Sequence, residues 1–285
     1  MRIAFFLYEF PALSETFVLN QITGLIDLGH DVTIFAERAR PDQIAHPDVA
    51  AYRLAERTCY LDMPEPRLAR VLQAPLRARQ VRRRVPLRRA LDLRRYGNEA
   101  RSLRLYYWVA RLAEHNGFDI IHCHFGPRGR MAGFLREIGA ISGKLVTVFH
   151  GVDVSAYLRH DPGIYRHLFS QGDLFLPVSE SWRTRLIEHG CDPARTRVHR
   201  MGVDLERFPF RPPLRMSGRP LRVLTIGRMI EKKGIDYGLR AVAELRGRAA
   251  VRYAVAGDGP ERGALEALAG QLGLTDIVSF LGWQD

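Results

Sequence analysis

The sequence predicts an α/β protein of two Rossmann-like, doubly wound parallel-sheet domains, the second of them incomplete. Three observations carry that expectation. Residues 2–8 are almost continuously apolar, as in a strand covered on both faces of a parallel sheet. Strand, helix and strand fit into the first 36 residues, which makes a βαβ unit. The same alternation begins again at Leu221–Ile226, after a proline-rich break.

After the first strand, Tyr8–Ser14 reads as a loop, and Ser14 is placed to cap a helix from about Glu15 to Leu28. Phe17, Ile22, Leu25, Ile26 and Leu28 recur at helical spacing, and Gly29 ends the run. Asp31–Ala36 is the next strand. Residues 67–95 break the pattern, with Pro75 and Pro86 expected to divide them into short helices. A helix around Asn98–His115 leads to a strand at Asp119–Phe125, a helix at Arg128–Ile138 and a strand at Leu145–Phe149. Leu174–Val178 is a further strand, followed by a helix from Ser179 to about His189, and Thr196–Val203 closes this half. The boundaries are therefore a first domain over 1–206, a linker over 207–219 and a partial second domain over 220–285. Within the last, Ile235–Leu245 and Glu261–Leu272 read as helices, and Val251–Ala256 and Ile277–Leu281 as strands.

Composition narrows the function. The 285 residues suffice for two cores, and no window approaches the roughly 18 apolar residues of a spanning helix. Glu9 interrupts the N-terminal apolar run and no small-x-small site follows, so the start reads as a strand rather than a signal peptide. Cys59, Cys123 and Cys191 are odd in number and far apart, as free thiols of a reducing cytoplasm are. The net charge of +12 comes almost wholly from arginine, since lysine occurs only at 144, 232 and 233, and it points to an anionic partner.

Residues 67–95 hold eleven arginines against one acid, Asp92, with Leu and Val at roughly helical intervals. A solvated insertion is one reading. A basic amphipathic surface resting on anionic lipid head groups is another, at about 1 kcal/mol per arginine close to the membrane. Nucleic-acid binding is disfavoured, because no aromatic-rich strand, zinc spacing or helix-turn-helix pattern accompanies the charge.

The stretch Leu221–Gly234 carries the clearest chemistry. A buried strand runs into Gly227-Arg228, and Lys233-Gly234 follows before a helix begins near Ile235. Two cations around one turn, next to a helix N-terminus, suit the oxygens of a diphosphate. The loop after the first strand lacks Gly-x-Gly-x-x-Gly, which counts against a dinucleotide-dependent oxidoreductase. Gly257-Asp258-Gly259 is a Gly-x-Gly without its third glycine. His122, His124 and His150 fall at the C-terminal ends of parallel strands, where open α/β sheets place ligands. His122 and His124 share one side of their strand, but no third metal ligand lies nearby in sequence. His150, next to Gly151, is the strongest candidate for substrate contact, and no Asp-x-Asp metal motif is present.

These residues resemble a known family. Phe10–Phe17, His122–Gly126, Phe149–Asp153, Met201–Asp204, Gly227–Gly234 and Gly257–Pro260 resemble, in order, blocks of bacterial retaining glycosyltransferases of the GT-B fold, in the family-4-type group that makes colanic acid and other exopolysaccharides. The resemblance spans nearly all of the chain outside 67–95. It implies a cytoplasmic, possible peripheral inner-membrane enzyme that moves a sugar from a nucleotide-sugar donor to a glycan or lipid-linked acceptor, with retention and with neither metal nor cofactor. It further implies that Arg228, Lys233 and Gly227 hold the donor diphosphate and that His150 is the catalytic histidine beside the donor sugar. Pro11, Ser14, Glu15 and Thr16 would form the donor or acceptor loop, with His124, Asp153, Gly257 and Gly259 lining the cleft.

One departure stands out. The family continues with a Glu-x7-Glu segment that holds the donor, whereas this sequence ends at Asp285. A doubly wound sheet also places its first strand centrally, and three strands would leave Leu221–Ile226 as an apolar edge. Both lead to the expectation of a C-terminally truncated chain, either a glycosyltransferase or a non-catalytic remnant or partner subunit of one.

Overall fold

The structure, a computed structural model, describes residues 1–12, 15–39, 46–81, 87–115, 117–206, 208–210, 212 and 220–284. These form two compact units, Met1–Asp204 and Leu205–Asp285. Each has its own core, and both are Rossmann-like.

The first unit holds a six-stranded sheet in the order β3-β2-β1-β4-β5-β6, with every neighbouring pair parallel. Its strands are β1 (Arg2–Glu9), β2 (Asp31–Arg38), β3 (Thr58–Tyr60), β4 (Ile120–His124), β5 (Lys144–Phe149) and β6 (Leu174–Pro177). The apolar run of β1 is explained by two covered faces. Ile3, Phe5 and Leu7 pack with Val18 and Ile22 of α1 (Thr16–Asp27), while Ala4 and Phe6 join a separate cluster containing Phe35 and Trp108. Burying each such large side chain contributes about 1.5–3 kcal/mol.

The succession of strands reverses its course across the sheet between β1 and β4. Open α/β sheets form their ligand crevice at that point, outside the C-terminal strand ends. The loops after β1 and β4 therefore bound the expected site, together with the loop after β5, which pairs with β4.

Two local expectations are corrected. Pro75 does not break the arginine-rich segment, because α3 (Arg67–Gln80) runs through it. The helix over 98–115 is two, α5 (Asn98–Arg101) and α6 (Arg104–Leu112), separated at Leu103 with φ +60°. A short helix, α2 (Pro47–Ala51), and the edge strand β3 lie in a region where the sequence pattern was silent. The short helix α4 (Leu93–Tyr96) and the longer α7 (Gly126–Ile138), which begins just after β4, complete the layer that carries α6. Pro86 and Ser14 lie outside the described residues.

After β5 come α8 (Val152–His160), α9 (Arg166–Gln171) and, beyond β6, α10 (Glu180–Glu188). The second unit contains a parallel sheet in the order β7-β8-β9, with β7 (Leu221–Ile226), β8 (Val251–Ala256) and β9 (Val278–Gly282). The helices α11 (Ile235–Leu245) and α12 (Arg262–Gln271) alternate with these strands. Leu224 and Ile226 of β7 are exposed, in agreement with its edge position.

Candidate active site

At the β1/β4 switch point the structure gathers three histidines. His122 and His124 sit on β4 with two-residue spacing, so both face the same side of the sheet, and His150 follows β5. His124 Nδ1 lies 2.9 Å from His150 Nε2. Phe17 and Phe125 flank the His150 ring, with centroids at 4.7 and 4.6 Å. Phe5 packs on both β4 histidines. Burial disfavours the charged imidazolium, holding His122 down to about 3 and His150 to about 4, and lowering His124 well below the ordinary histidine value. The nearby His199 and His150 add repulsion at His122, and the group is a neutral one at pH 7.

Asp153 holds the loops in place. It is fully buried, and its Oδ2 accepts from the Gly126 amide at 3.0 Å. Its Oδ1 accepts from the amides of Gly151 at 2.8 Å and His150 at 3.0 Å. One carboxylate thus joins the loop after β5 to the start of α7. Burial raises its carboxyl above the usual range, and the three amides pull the other way. Gly126 is required where it stands, since a Cβ there would come within 2.5 Å of Tyr165 and 2.7 Å of Phe149. Tyr165 in turn donates to the Asp153 carbonyl at 3.1 Å.

The loop after β1 is anchored by the Phe10 amide, which donates to the Arg38 carbonyl, and by the Tyr60 hydroxyl, which donates to the Phe10 carbonyl at 3.0 Å. Pro11 follows a cis peptide bond. Pro11, Glu15 and Thr16 line a small recess with Phe10 and Leu19. Burial, with the Glu9 charge second, raises the Glu15 carboxyl. Beside the β1 and β2 ends lies a polar cavity of about 570 Å³ lined by Glu9, Glu37, Arg38, Glu65, Arg70 and Arg104. Tyr8 stands near it between two guanidinium groups, 5.5 Å from Arg38 and 5.4 Å from Arg128, and the buried Glu37 is ion-paired with Arg128.

In the second unit, Gly227 follows β7 and the chain makes one short 3₁₀ turn at Glu231–Lys233. Gly234, at φ +61°, then opens α11. The Lys233 side chain folds back toward Gly227, and Arg228 and Lys233 are exposed with no carboxylate partner among the described residues. The neighbouring loop is stitched to this turn by three amides. Gly227 donates to the Ala256 carbonyl, Met229 to Asp258 and Glu261 to Met229. A Cβ at Gly257 would fall onto the Gly227 carbonyl, and one at Gly259 onto that of Met229. These two glycines serve backbone-to-backbone packing under the cationic turn.

The sequence-derived residues thus divide. His150, Pro11, Glu15 and Thr16 stand at the switch-point loops, and Gly227, Arg228 and Lys233 form one turn of the second unit. His124 and Asp153, expected on a cleft wall, are instead buried behind His150, and Gly257 and Gly259 lie under the Gly227 turn. Sequence inspection missed Phe17 and Phe125 as walls around His150, and Tyr8 between its arginines. Phe125 gave one overlooked signal, a non-glycine residue between a strand and Gly-Pro, where it adopts φ +71°. Among the described residues no group of three His, Cys, Asp or Glu side chains is placed to hold a metal.

Residues 14–207 match the family model described as Glycosyltransferase Family 4, and residues 207–285 match that of Glycosyl transferases group 1. The chain belongs to Glycosyltransferase Family 4. This family-4 chain is 39% identical over 288 residues to a Salmonella typhimurium protein named as the colanic acid biosynthesis glycosyltransferase WcaL, covering 100% of this chain and 71% of that relative. It is 34% identical over 298 residues to the amylovoran biosynthesis glycosyltransferase AmsK of Erwinia amylovora, with the same coverage of 100% and 71%. Among solved structures it resembles the lipopolysaccharide outer core galactosyltransferase WaaB (TM-score 0.63, 16% identity, covering 100% of this chain and 69% of that one). HepE of Anabaena in complex with UDP and glucose resembles it equally (TM-score 0.64, 16% identity, 100% and 70%). At such identities these two structures speak for the fold, that of GT-B glycosyltransferases.

Proposed function

We propose that the chain transfers a sugar from a nucleotide-sugar donor to a glycan or lipid-linked acceptor in cell-surface polysaccharide synthesis, with retention of anomeric configuration. The observation that carries this reading is the Gly227–Gly234 turn, which presents Arg228 and Lys233 to solvent without a carboxylate partner among the described residues. Two unneutralised cations on a rigid backbone turn suit a diphosphate, and their charge stabilises the one that grows on the leaving nucleotide. The UDP bound by HepE and the polysaccharide names of WcaL and AmsK support the same assignment. His150 is assigned to the transferred sugar, and Pro11, Glu15 and Thr16 to donor phosphate or acceptor, because these residues follow the strand ends at the switch point of the first sheet. The polar cavity beside Glu9 and Arg38 suits a polyhydroxylated acceptor, since its carboxylates and guanidinium groups pair with hydroxyls as acceptors and donors.

The test is calorimetric binding of UDP-glucose, UDP-galactose and GDP-mannose to the whole chain and to Arg228→Ala and Lys233→Ala. A hydrogen bond to a charged group contributes about 1.5–3 kcal/mol, so each variant is expected to lose about 10- to 150-fold in affinity for the donor that binds. Unchanged affinity in Arg228→Ala sinks the diphosphate assignment.

The partner on the acceptor side is a membrane surface. α3 is amphipathic in the inverted sense. Its inner face is polar or small, with Arg70 donating to the carbonyls of Pro64, Glu65 and Ser102, Arg77 paired with Asp62, and Ala74 and Ala78 against the core. Leu68, Val71, Leu72 and Leu76 face solvent, exposed by 72%, 59%, 71% and 57%. Arg67, Arg79, Arg88, Arg89 and Arg94 are exposed around them. An apolar stripe ringed by cations suits the acyl boundary of an anionic bilayer. We assign this face to the inner leaflet of the plasma membrane, where a lipid-linked acceptor would lie.

A further inference from the structure

We infer that His124 is a positioning residue for His150, donating its Nδ1–H to His150 Nε2 and so fixing the His150 proton on Nδ1. The inference rests on the proposed function only for its kinetic consequence.

The two rings come from adjacent strand ends, His124 from β4 and His150 from just beyond β5, and they share a single contact of 2.9 Å between nitrogens. Both are neutral, so each ring carries one N–H, and only one proton occupies the contact. Two arrangements satisfy it. If His150 donated, the proton of His124 would sit on its Nε2. That atom is buried and has no hydrogen-bond partner among the described residues. A buried N–H without an acceptor is the rarest kind of unsatisfied group in folded proteins. If His124 donates, its Nε2 is a bare imine nitrogen instead, facing the aromatic surroundings supplied by Phe5 and Phe17. The second arrangement avoids the orphaned donor and is the one assigned.

His150 is then held in a defined state. Its Nε2 lone pair is occupied, so its one proton is on Nδ1, which has no hydrogen-bond partner among the described residues and is not one of the fully buried unpaired atoms. Its backbone amide is tied to Asp153, and Phe17 and Phe125 restrict the ring on two sides. A ring so fixed offers a hydrogen bond to a ligand oxygen and has no free lone pair with which to take a proton. His150 therefore acts as a neutral hydrogen-bond donor toward a hydroxyl or phosphate oxygen. Its protonation state is set from behind by a residue that the ligand does not reach. The arrangement is the one in which a partner behind a functional histidine fixes its tautomer and orientation.

The test uses the full chain with ¹⁵N-labelled histidine and long-range ¹H–¹⁵N correlation spectra, which distinguish Nδ1–H from Nε2–H imidazole directly. The wild type is expected to show both His124 and His150 as Nδ1–H tautomers. His124→Asn places an amide N–H near the same position and is expected to keep the His150 tautomer. His124→Phe, which fills the site without a donor, is expected to release His150 to Nε2–H. In turnover, His124→Phe is expected to lower kcat/KM by about 10- to 100-fold, with a smaller loss in His124→Asn. Nε2–H on His150 in the wild type, or Nδ1–H retained in a folded His124→Phe, overturns the inference. Absence of any turnover by the wild type would instead count against the proposed function, and the spectra would still decide the tautomer.

Discussion

Replacing Asp153 tests how the site loops are held. In Asp153→Ala three amide donors, those of Gly126, His150 and Gly151, lose their acceptor at once. Gly126 and Gly151 are buried, so water does not readily replace it. An unsatisfied buried donor costs about 1–3 kcal/mol, and the removal of a costly buried carboxylate offsets part of the sum, which leaves an expected loss of about 3–5 kcal/mol. That is a large share of the roughly 5–15 kcal/mol that holds a domain folded. Asp153→Asn keeps one oxygen for His150 and Gly151 but sets an NH₂ against the Gly126 amide, for an expected loss of about 1–3 kcal/mol. Urea unfolding gives the totals. Hydrogen exchange at the amides of Gly126, His150 and Gly151 localises them, which matters in a chain of two units where a single unfolding midpoint is ill defined. The expected order is Ala worse than Asn worse than wild type, with protection lost at all three amides in Asp153→Ala. A loss under about 1 kcal/mol with the three amides still protected would refute the reasoning.

The buried histidines predict acid sensitivity. His122 and His150 bind protons near pH 7 to 5 only when unfolded, because their folded values are held to about 3 and about 4, so stability falls as the pH drops through that window. At pH 5 each contributes a loss of about 2 kcal/mol relative to pH 7, and His124 acts in the same direction. The raised carboxyls of Glu15 and Asp153 act oppositely, since the folded state takes up their protons before the unfolded one as the pH falls. Urea midpoints that do not move between pH 7 and 5 would contradict this. Gly257→Ala should destabilise the second unit by about 2–4 kcal/mol and weaken nucleotide-sugar binding, since the new Cβ meets the Gly227 carbonyl at a φ of +127°. Unchanged melting and binding would show that the turn tolerates displacement. Vesicles containing phosphatidylglycerol should bind the chain and neutral phosphatidylcholine vesicles should not. Leu72→Asp should cut that binding about 10-fold or more, as loss of one inserted leucine of about 1.5–3 kcal/mol implies. Equal binding to both vesicle types would remove the membrane assignment.

Much of the fold was legible because burial writes itself into composition. β1 is apolar at consecutive positions since both faces are covered, and α11 begins at Ile235 because Gly234 supplies the left-handed residue before it. The errors have physical causes. Pro75 was expected to end a helix, yet α3 keeps it on an exposed face and is held there by the Tyr106 and Tyr107 hydroxyls, which donate to the Ala74 and Arg70 carbonyls at 2.9 and 3.0 Å. Tertiary anchoring of the surrounding backbone outweighed local propensity. The short strand β3 has three residues and no alternation to recognise.

The candidate site was legible only as residue types at strand ends. What each residue does depends on a neighbour far along the chain. His124 and His150 are separated by 26 positions and meet because β4 and β5 pair in register. Asp153 looked like a polar residue beside a substrate, and its three amide partners turn it into the fastener of two loops. Gly257 and Gly259 were expected to line the cleft, and they make room for the carbonyls of Gly227 and Met229. In each case a residue expected on the cleft wall makes its described contacts with distant parts of its own chain. In the tautomer inferred above, His150 has no free lone pair with which to take a proton, so we propose that an oxygen bound beside it is met by hydrogen-bond donation from Nδ1 rather than by acid–base exchange.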